Sequence, residues 1–159
     1  MQYEQFTVKS REALLEAQKK ATNSGNPEIR PPHLLAALLE QKKSVVHTLI
    51  KQVGVDVNQF KRESEALLAK FPQSSGRNKA QLSRQMDQVI DQAKKTAREL
   101  GDSHVACEIL FLSIESVRGY ASQLMQDFGL TNQRIKEALS VLRKGRNVQG
   151  EDAEDQYEA

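Results

Sequence analysis

The sequence predicts an all-α fold: two tandem four-helix repeats, about eight helices related by a pseudo-twofold, followed by a flexible linker. Three observations carry this prediction. Apolar residues recur at steps of three and four. The pattern of the first half returns in the second. No stretch of β-branched residues alternates with polar ones as a half-buried strand would.

The duplication organises everything else. Ala17, Ala21 and Gly25 recur 76 positions later as Ala93, Ala97 and Gly101. At the same offset Thr7 meets Ser83, Leu14 meets Ile90, Ile29 meets Val105, Leu34 meets Leu110 and Leu38 meets Ile114. The offset then shortens to 75, pairing Leu49 with Leu124, Gly54 with Gly129 and Phe60 with Ile135. Apolar matches apolar, hydroxyl matches hydroxyl and glycine matches glycine. Repeat one is expected over about residues 6–71, a Pro/Ser/Gly-rich connection over 72–81 and repeat two over 82–143, together one domain. Residues 144–159 form an acidic linker.

Each repeat reads as four helices. Met86, Val89, Ile90, Ala93, Ala97 and Leu100 make one apolar face of the first helix in copy two, and Leu14, Ala17 and Ala21 the matching face in copy one. Thr7 and Ser83 precede these helices, where a hydroxyl accepts from an unpaired N–H. Gly25 and Gly101 follow them, where a left-handed residue is wanted. The second helices, near residues 34–39 and 109–114, are apolar nearly all round and belong at the bundle centre. Pro31 starts the first of them, since its missing N–H costs little there. Val46, Leu49 and Ile50 face inward from one third helix, and Ala121, Leu124 and Met125 from the other. Asp56 and Thr131 cap the fourth helices, which bury Phe60, Ser64, Leu67 and Leu68, and Ile135, Ala138, Leu139 and Leu142.

Composition narrows the function. A chain of 159 residues buries enough apolar surface to fold without staples. The single cysteine excludes an intrachain disulfide and fits a reducing compartment. No apolar run reaches the ~18 residues of a membrane span, and the opening residues lack the basic and apolar parts of a signal peptide. The expected location is the cytoplasm. Net charge is +2, but the last thirteen residues carry five acids and no Lys or Arg, leaving +7 on residues 1–146. That basic body raises a nucleic-acid reading. Its lysine doublets lie on several helices beside acids such as Glu12, Glu16, Asp87 and Asp91, however, and aromatics are only 5%. A base-stacking platform is therefore not expected.

Catalytic chemistry finds little support. No Gly-Lys pair occurs, so the phosphate-binding loop of nucleotide hydrolases is missing. His33, His47 and His104 lie far apart in sequence, and no metal site is expected. His33 reads as a hydrogen-bonded residue at a helix start. Cys107 falls in the first turn of a helix, where the dipole lowers a thiol pKa, and His104 precedes it by three residues. A Cys–His nucleophile is the sharp reading. The bland one is a small helix-start residue in the place Pro31 holds in copy one. A groove between packed helices remains as a natural peptide site.

The stretch from Ile29 to Leu39, Ile-Arg-Pro-Pro-His-Leu-Leu-Ala-Ala-Leu-Leu, resembles the I-x-P-E-H-L-L-x-A-L-L signature of the Clp amino-terminal domain. The opening Tyr3-Glu4-Gln5-Phe6-Thr7 and the copy-two run from Gly101 to Leu110 fit the same family, so the likeness spans the chain and its duplication. The closing residues from Glu154 resemble the junction at which ClpB-type disaggregases continue into their first ATPase ring. The resemblance implies a tethered domain above a hexameric AAA+ ring. That domain contacts unfolded or aggregated polypeptide and aids its delivery to the ATP-driven pore, with a DnaK-type chaperone as collaborator. A docking or regulatory module for an adaptor is the alternative. Neither reading places a cofactor in this chain; ATP and magnesium belong to the ring. Nucleic acid and membrane are not expected partners, and the isolated domain is expected to be a monomer.

The resemblance implies a binding groove where the two repeats meet, at Thr7, Asp102 and Glu108, with Ile90 and Ile109 as apolar neighbours. Each polar position also has a purely local role: Thr7 caps a helix, and Asp102 and Glu108 place negative charge near a helix N-terminus. Two departures matter. Copy one carries Pro32 where the signature has glutamate, while copy two keeps Glu108. Gln92 and Thr96 occupy the groove face of the first helix in copy two, which predicts polar rather than greasy binding.

Overall fold

The structure, a computed structural model, describes residues 3–74 and 79–156. Eight α-helices are present among them: α1 (Val8–Asn23), α2 (Pro31–Glu40), α3 (Val45–Val53), α4 (Val57–Leu67), α5 (Arg84–Glu99), α6 (Cys107–Ser116), α7 (Tyr120–Asp127) and α8 (Asn132–Arg143). The predicted all-α double repeat is therefore the observed architecture. Part of the expected inter-repeat connection, residues 75–78, lies outside the described residues.

The helices begin where the hydroxyl and carboxylate positions place them. Thr7 Oγ1 accepts from Ser10 N–H at 3.2 Å and Ser83 Oγ from Met86 N–H at 3.0 Å. Asp56 and Thr131 cap α4 and α8 in the same way. Gly101 closes α5 at φ +75°, and a Cβ there would also meet the Asn147 side-chain nitrogen at 3.2 Å. Both second helices are central: nine residues of α2 and eight of α6 are buried.

The two repeats interlock. Helix α3 packs on α6 and α8 of the other repeat, and α7 packs on α2 and α4. Two very short strands, β1 (Glu28–Ile29) and β2 (Gln81–Leu82), pair in parallel, and Phe6 forms a bridge with Val105. These contacts are copies of each other, since Phe6 corresponds to Leu82 and Ile29 to Val105 at the offset of 76. Each repeat thus sends the residue before its first helix onto the other repeat's loop before its second. Two-residue pairs are too short to leave an alternating pattern, which is why none is visible in the sequence. Phe60 of α4 and Phe128 beyond α7 meet edge to face across the same boundary, with ring centroids 5.1 Å apart.

Three expectations need adjustment. Leu67 and Leu68 are half-buried because α4 ends there and the chain tightens into a 3-10 turn over Leu68–Lys70. Leu100, expected on the buried face of α5, follows the last helical residue and is 45% exposed. The segment after α8, expected as a tether, folds back along part of its length. Val148 is fully buried, Ala153 and Glu154 nearly so, and Val148 and Ala153 form a small apolar cluster with Ala106.

The start of α2 has a titration consequence. His33 Nδ1 accepts from Arg30 N–H at 2.9 Å, so the neutral ring carries its proton on Nε2 and donates it to Asn26 Oδ1 at 3.0 Å. Burial, followed by the nearby Arg30 charge, lowers the His33 pKa from 6.5 to about 4. The unfolded chain therefore binds more protons than the folded one between those values. This contribution to stability is fully present above pH 6.5 and is lost as pH falls towards 4. Urea midpoints at pH 7 and 4.5 should differ more for the natural chain than for His33→Asn. Equal differences would refute the assignment.

Candidate functional site

The N-terminal end of α6 gathers an unusual set of buried polar groups. Arg143, the last residue of α8, reaches into it. Its Nη1 lies 3.0 Å from Asp102 Oδ2, and its Nε and Nη2 donate to Glu108 Oε2 at 3.2 and 3.0 Å. Both carboxylate side chains are fully buried and the guanidinium is nearly so. Two buried carboxylates on one guanidinium form a desolvated ion triad, whose members depend on one another.

A third carboxylate arrives from the folded-back segment. Glu154 Oε2 accepts from Thr7 Oγ1 at 2.7 Å and from Cys107 N–H at 3.0 Å. It thereby sits at the positive end of α6, where anions are favoured. Its second oxygen, Oε1, is buried with no hydrogen-bond donor among the described residues.

Thr7, Asp102, Glu108 and Ile109 come to this end of the molecule, whereas Ile90 lies in the core on α5, and none of the five offers an open surface. Thr7, Glu108 and Ile109 are fully buried, Ile90 is 4% exposed and Asp102 8%. The hydroxyl of Thr7 serves both α1 and Glu154, while Asp102 and Glu108 hold Arg143. The capping role of Thr7 is present and Glu108 lies in the first turn of α6, but Asp102 caps no helix N–H among the described residues and serves Arg143 and Val148 instead, in a network that the sequence reading did not contain.

The Cys107 environment opposes the nucleophile reading. Burial pushes the thiol well above its ordinary range, and the neighbouring Glu154 charge pushes the same way. The sulfur pairs with Ser10 and Gln41, whereas the His104 ring bonds to the Ser103 hydroxyl. Among the described residues no group of three or more His, Cys, Asp or Glu side chains could hold a metal ion, and no helix is long and apolar enough to cross a membrane.

Open surface lies beside this network, between α5, α6 and α8. A groove of about 470 Å³ runs there, with Leu112 and Leu139 as its floor and exposed Leu100 at one end. Gln92 and Thr96 line it from α5 and satisfy each other, Gln92 Nε2 donating to Thr96 Oγ1 at 3.0 Å. Lys136 and Arg146 add positive charge at the rim, and the backbone turn through Gly145 and Asn147 closes one wall. Where the repeats meet, α3 packs on α6 and α8 and α7 on α2 and α4, and the expected cleft is reduced to separate hollows. These hollows measure about 260 Å³ between the start of α2 and Tyr120, and about 350 and 300 Å³ between α3 and α8. The groove with the polar α5 face instead lies within repeat two.

Residues 5–128 match the signature of the Clp repeat (R) N-terminal domain. The chain belongs to that family. Among curated Clp proteins, it is 39% identical over 155 residues to the chaperone protein ClpB of Corynebacterium diphtheriae. That alignment covers 96% of this chain and 18% of the relative. With ClpB of Porphyromonas gingivalis it shares 35% over 159 residues, 100% of this chain and again 18% of the relative. The chain thus spans under a fifth of the length of these ClpB proteins. In three dimensions this Clp domain superposes on the Hsp104 N-terminal domain from Candida albicans with a TM-score of 0.85 at 24% identity, covering 94% of this chain and 99% of that one. The N-domain of ClpV in complex with a VipB peptide gives a TM-score of 0.69 at 18% identity, covering 86% and 85%. At under 25% identity, these two likenesses show the shared fold.

Proposed function

We propose that this Clp domain is the polypeptide-binding N-terminal module of a ClpB-type chaperone. In this reading it contacts unfolded or aggregated chains through the α5–α6–α8 groove and passes them to an ATP-driven ring outside the present sequence. The groove itself carries the proposal: an apolar floor long enough for a few side chains, a polar wall and a basic rim. Such a surface suits extended segments of mixed apolar and acidic character, held weakly. The fold supports the same use, since the ClpV N-domain was solved with a peptide. ATP, magnesium and a DnaK-type collaborator act at the level of the longer protein, in the cytoplasm, and the isolated domain is monomeric.

Weak binding suits a tethered module. Several copies presented together raise effective concentration, and avidity exceeds each single affinity by about 10²–10⁴. The test is an NMR titration of the isotope-labelled chain with reduced, carboxymethylated α-lactalbumin, a permanently unfolded protein. Shifts are expected at Gln92, Thr96, Leu100 and Lys136, and Leu100→Asp should weaken them. Absence of shifts at near-millimolar polypeptide would replace this reading with an adaptor-docking or regulatory role.

A further inference from the structure

The segment after α8 touches both the groove and the buried network. Its first residues, Gly145, Arg146 and Asn147, form one groove wall. Its later residues form a strap across the start of α6. Val148 N–H donates to Asp102 Oδ1 at 2.9 Å, and Asp102 also holds groove-lining Arg143. Val8, Ser103 and Cys107 each direct an amide N–H to the strap: to Glu151 O at 2.9 Å, Val148 O at 2.7 Å and Glu154 Oε2 at 3.0 Å.

This strap is seated but lightly held. Its apolar anchors, Val148 and Ala153, pack with Ala106 in a cluster separate from the main core. Its ion pair between Arg11 and Glu151 is solvent-exposed and contributes little. Glu154 is buried to 1% exposure with Oε1 unpaired, so seating it carries an uncompensated desolvation cost. An element with few apolar contacts and an anchor whose buried oxygen lacks a donor opens at lower cost than the body it rests on.

We infer that residues 147–154 are a cis-docked clasp, seated by the Glu154 carboxylate on Thr7 Oγ1 and Cys107 N–H, whose docking is coupled to occupancy of the α5–α6–α8 groove. The inference rests on the groove reading above and assigns its regulation. The docked clasp completes the groove wall and fixes Arg143 through Asp102, so a polypeptide in the groove favours the docked state. By linkage, docking raises affinity for polypeptide by the same factor that polypeptide stabilises docking. Groove occupancy is thereby reported to the chain that continues beyond the clasp.

The experiment uses the full 159-residue chain and Glu154→Ala. Amide exchange at Val8, Ser103 and Cys107 reads the clasp, exchange over residues 34–39 reads the core, and the carboxymethylated α-lactalbumin titration reads the groove. The variant should speed exchange at the three amides by about tenfold or more, as expected for local opening, with the core unchanged. Its affinity for polypeptide should fall by about fivefold, the lower end of ordinary coupling. Saturating polypeptide should slow the same three amides in the natural chain by a matching factor. Polypeptide shifts that persist with unchanged affinity in Glu154→Ala would overturn the clasp alone. Unchanged exchange at the three amides in that variant would also overturn it. An absence of groove shifts in the natural chain would overturn the groove reading and the coupling together.

Discussion

Arg143→Ala should destabilise the domain by about 3–5 kcal/mol, the usual cost of removing one partner from a buried ion pair. The guanidinium is the shared counter-charge of Asp102 and Glu108, whose side chains are completely buried. Its loss leaves two carboxylates in a desolvated site with no base between them. Urea unfolding followed by circular dichroism measures the change. The triple variant Asp102→Asn/Glu108→Gln/Arg143→Leu should recover most of it, because replacing a whole buried triad by neutral groups is often neutral or stabilising. Repeat one already demonstrates the neutral solution: Asn26, Pro32 and Leu68 stand at the corresponding positions. A loss below about 1 kcal/mol for Arg143→Ala, the scale of an exposed pair, would show that the triad is solvated in practice.

Phe60→Ala should cost about 3–5 kcal/mol, the range for a buried aromatic truncated to alanine. Phe60 is fully buried and its ring meets Phe128 of the other repeat edge to face, a geometry that adds about 0.5–1.5 kcal/mol to the burial. Since α3 packs on repeat two and α7 on repeat one, the loss should lower one cooperative transition rather than split it. Calorimetry distinguishes the cases. Two resolved transitions in the variant would mean that the repeats hold their own stability.

Much of this architecture is legible in the residues. The duplication, the caps at Thr7, Ser83, Asp56 and Thr131, and the buried runs of α2 and α6 all follow from local rules that tertiary packing does not override. The site is less legible. Thr7, Asp102 and Glu108 can be placed near one another by family resemblance, but their burial depends on Arg143 and Glu154, which local rules read differently. A lone arginine at a helix end looks like a solvated, dipole-favoured residue, and a glutamate in an acidic tail looks like part of a tether. One signal was available. Copy two exchanges three neutral positions of copy one for two acids and a base, Asn26 for Asp102, Pro32 for Glu108 and Leu68 for Arg143. Compensating charges confined to one copy of a repeat point to a buried ion network. Glu154 has no counterpart within either repeat, so no such comparison finds it. Leu100 escaped because it follows α5, where the helical period no longer sets which way a side chain faces.

The reciprocal pairing of Phe6 with Val105 and of Leu82 with Ile29 bears on the history and engineering of the domain. A single repeat cut free has its third helix and its leading residue designed for a surface that it does not carry. Two such halves can satisfy each other by the same twofold operation, so a half on its own is expected to pair as a symmetric dimer. Joining them end to end turns a concentration-dependent association into an intramolecular one. It also releases the halves from identity. Once two halves are permanently paired, one is free to keep neutral, structural chemistry while the other acquires charge, a groove and a clasp.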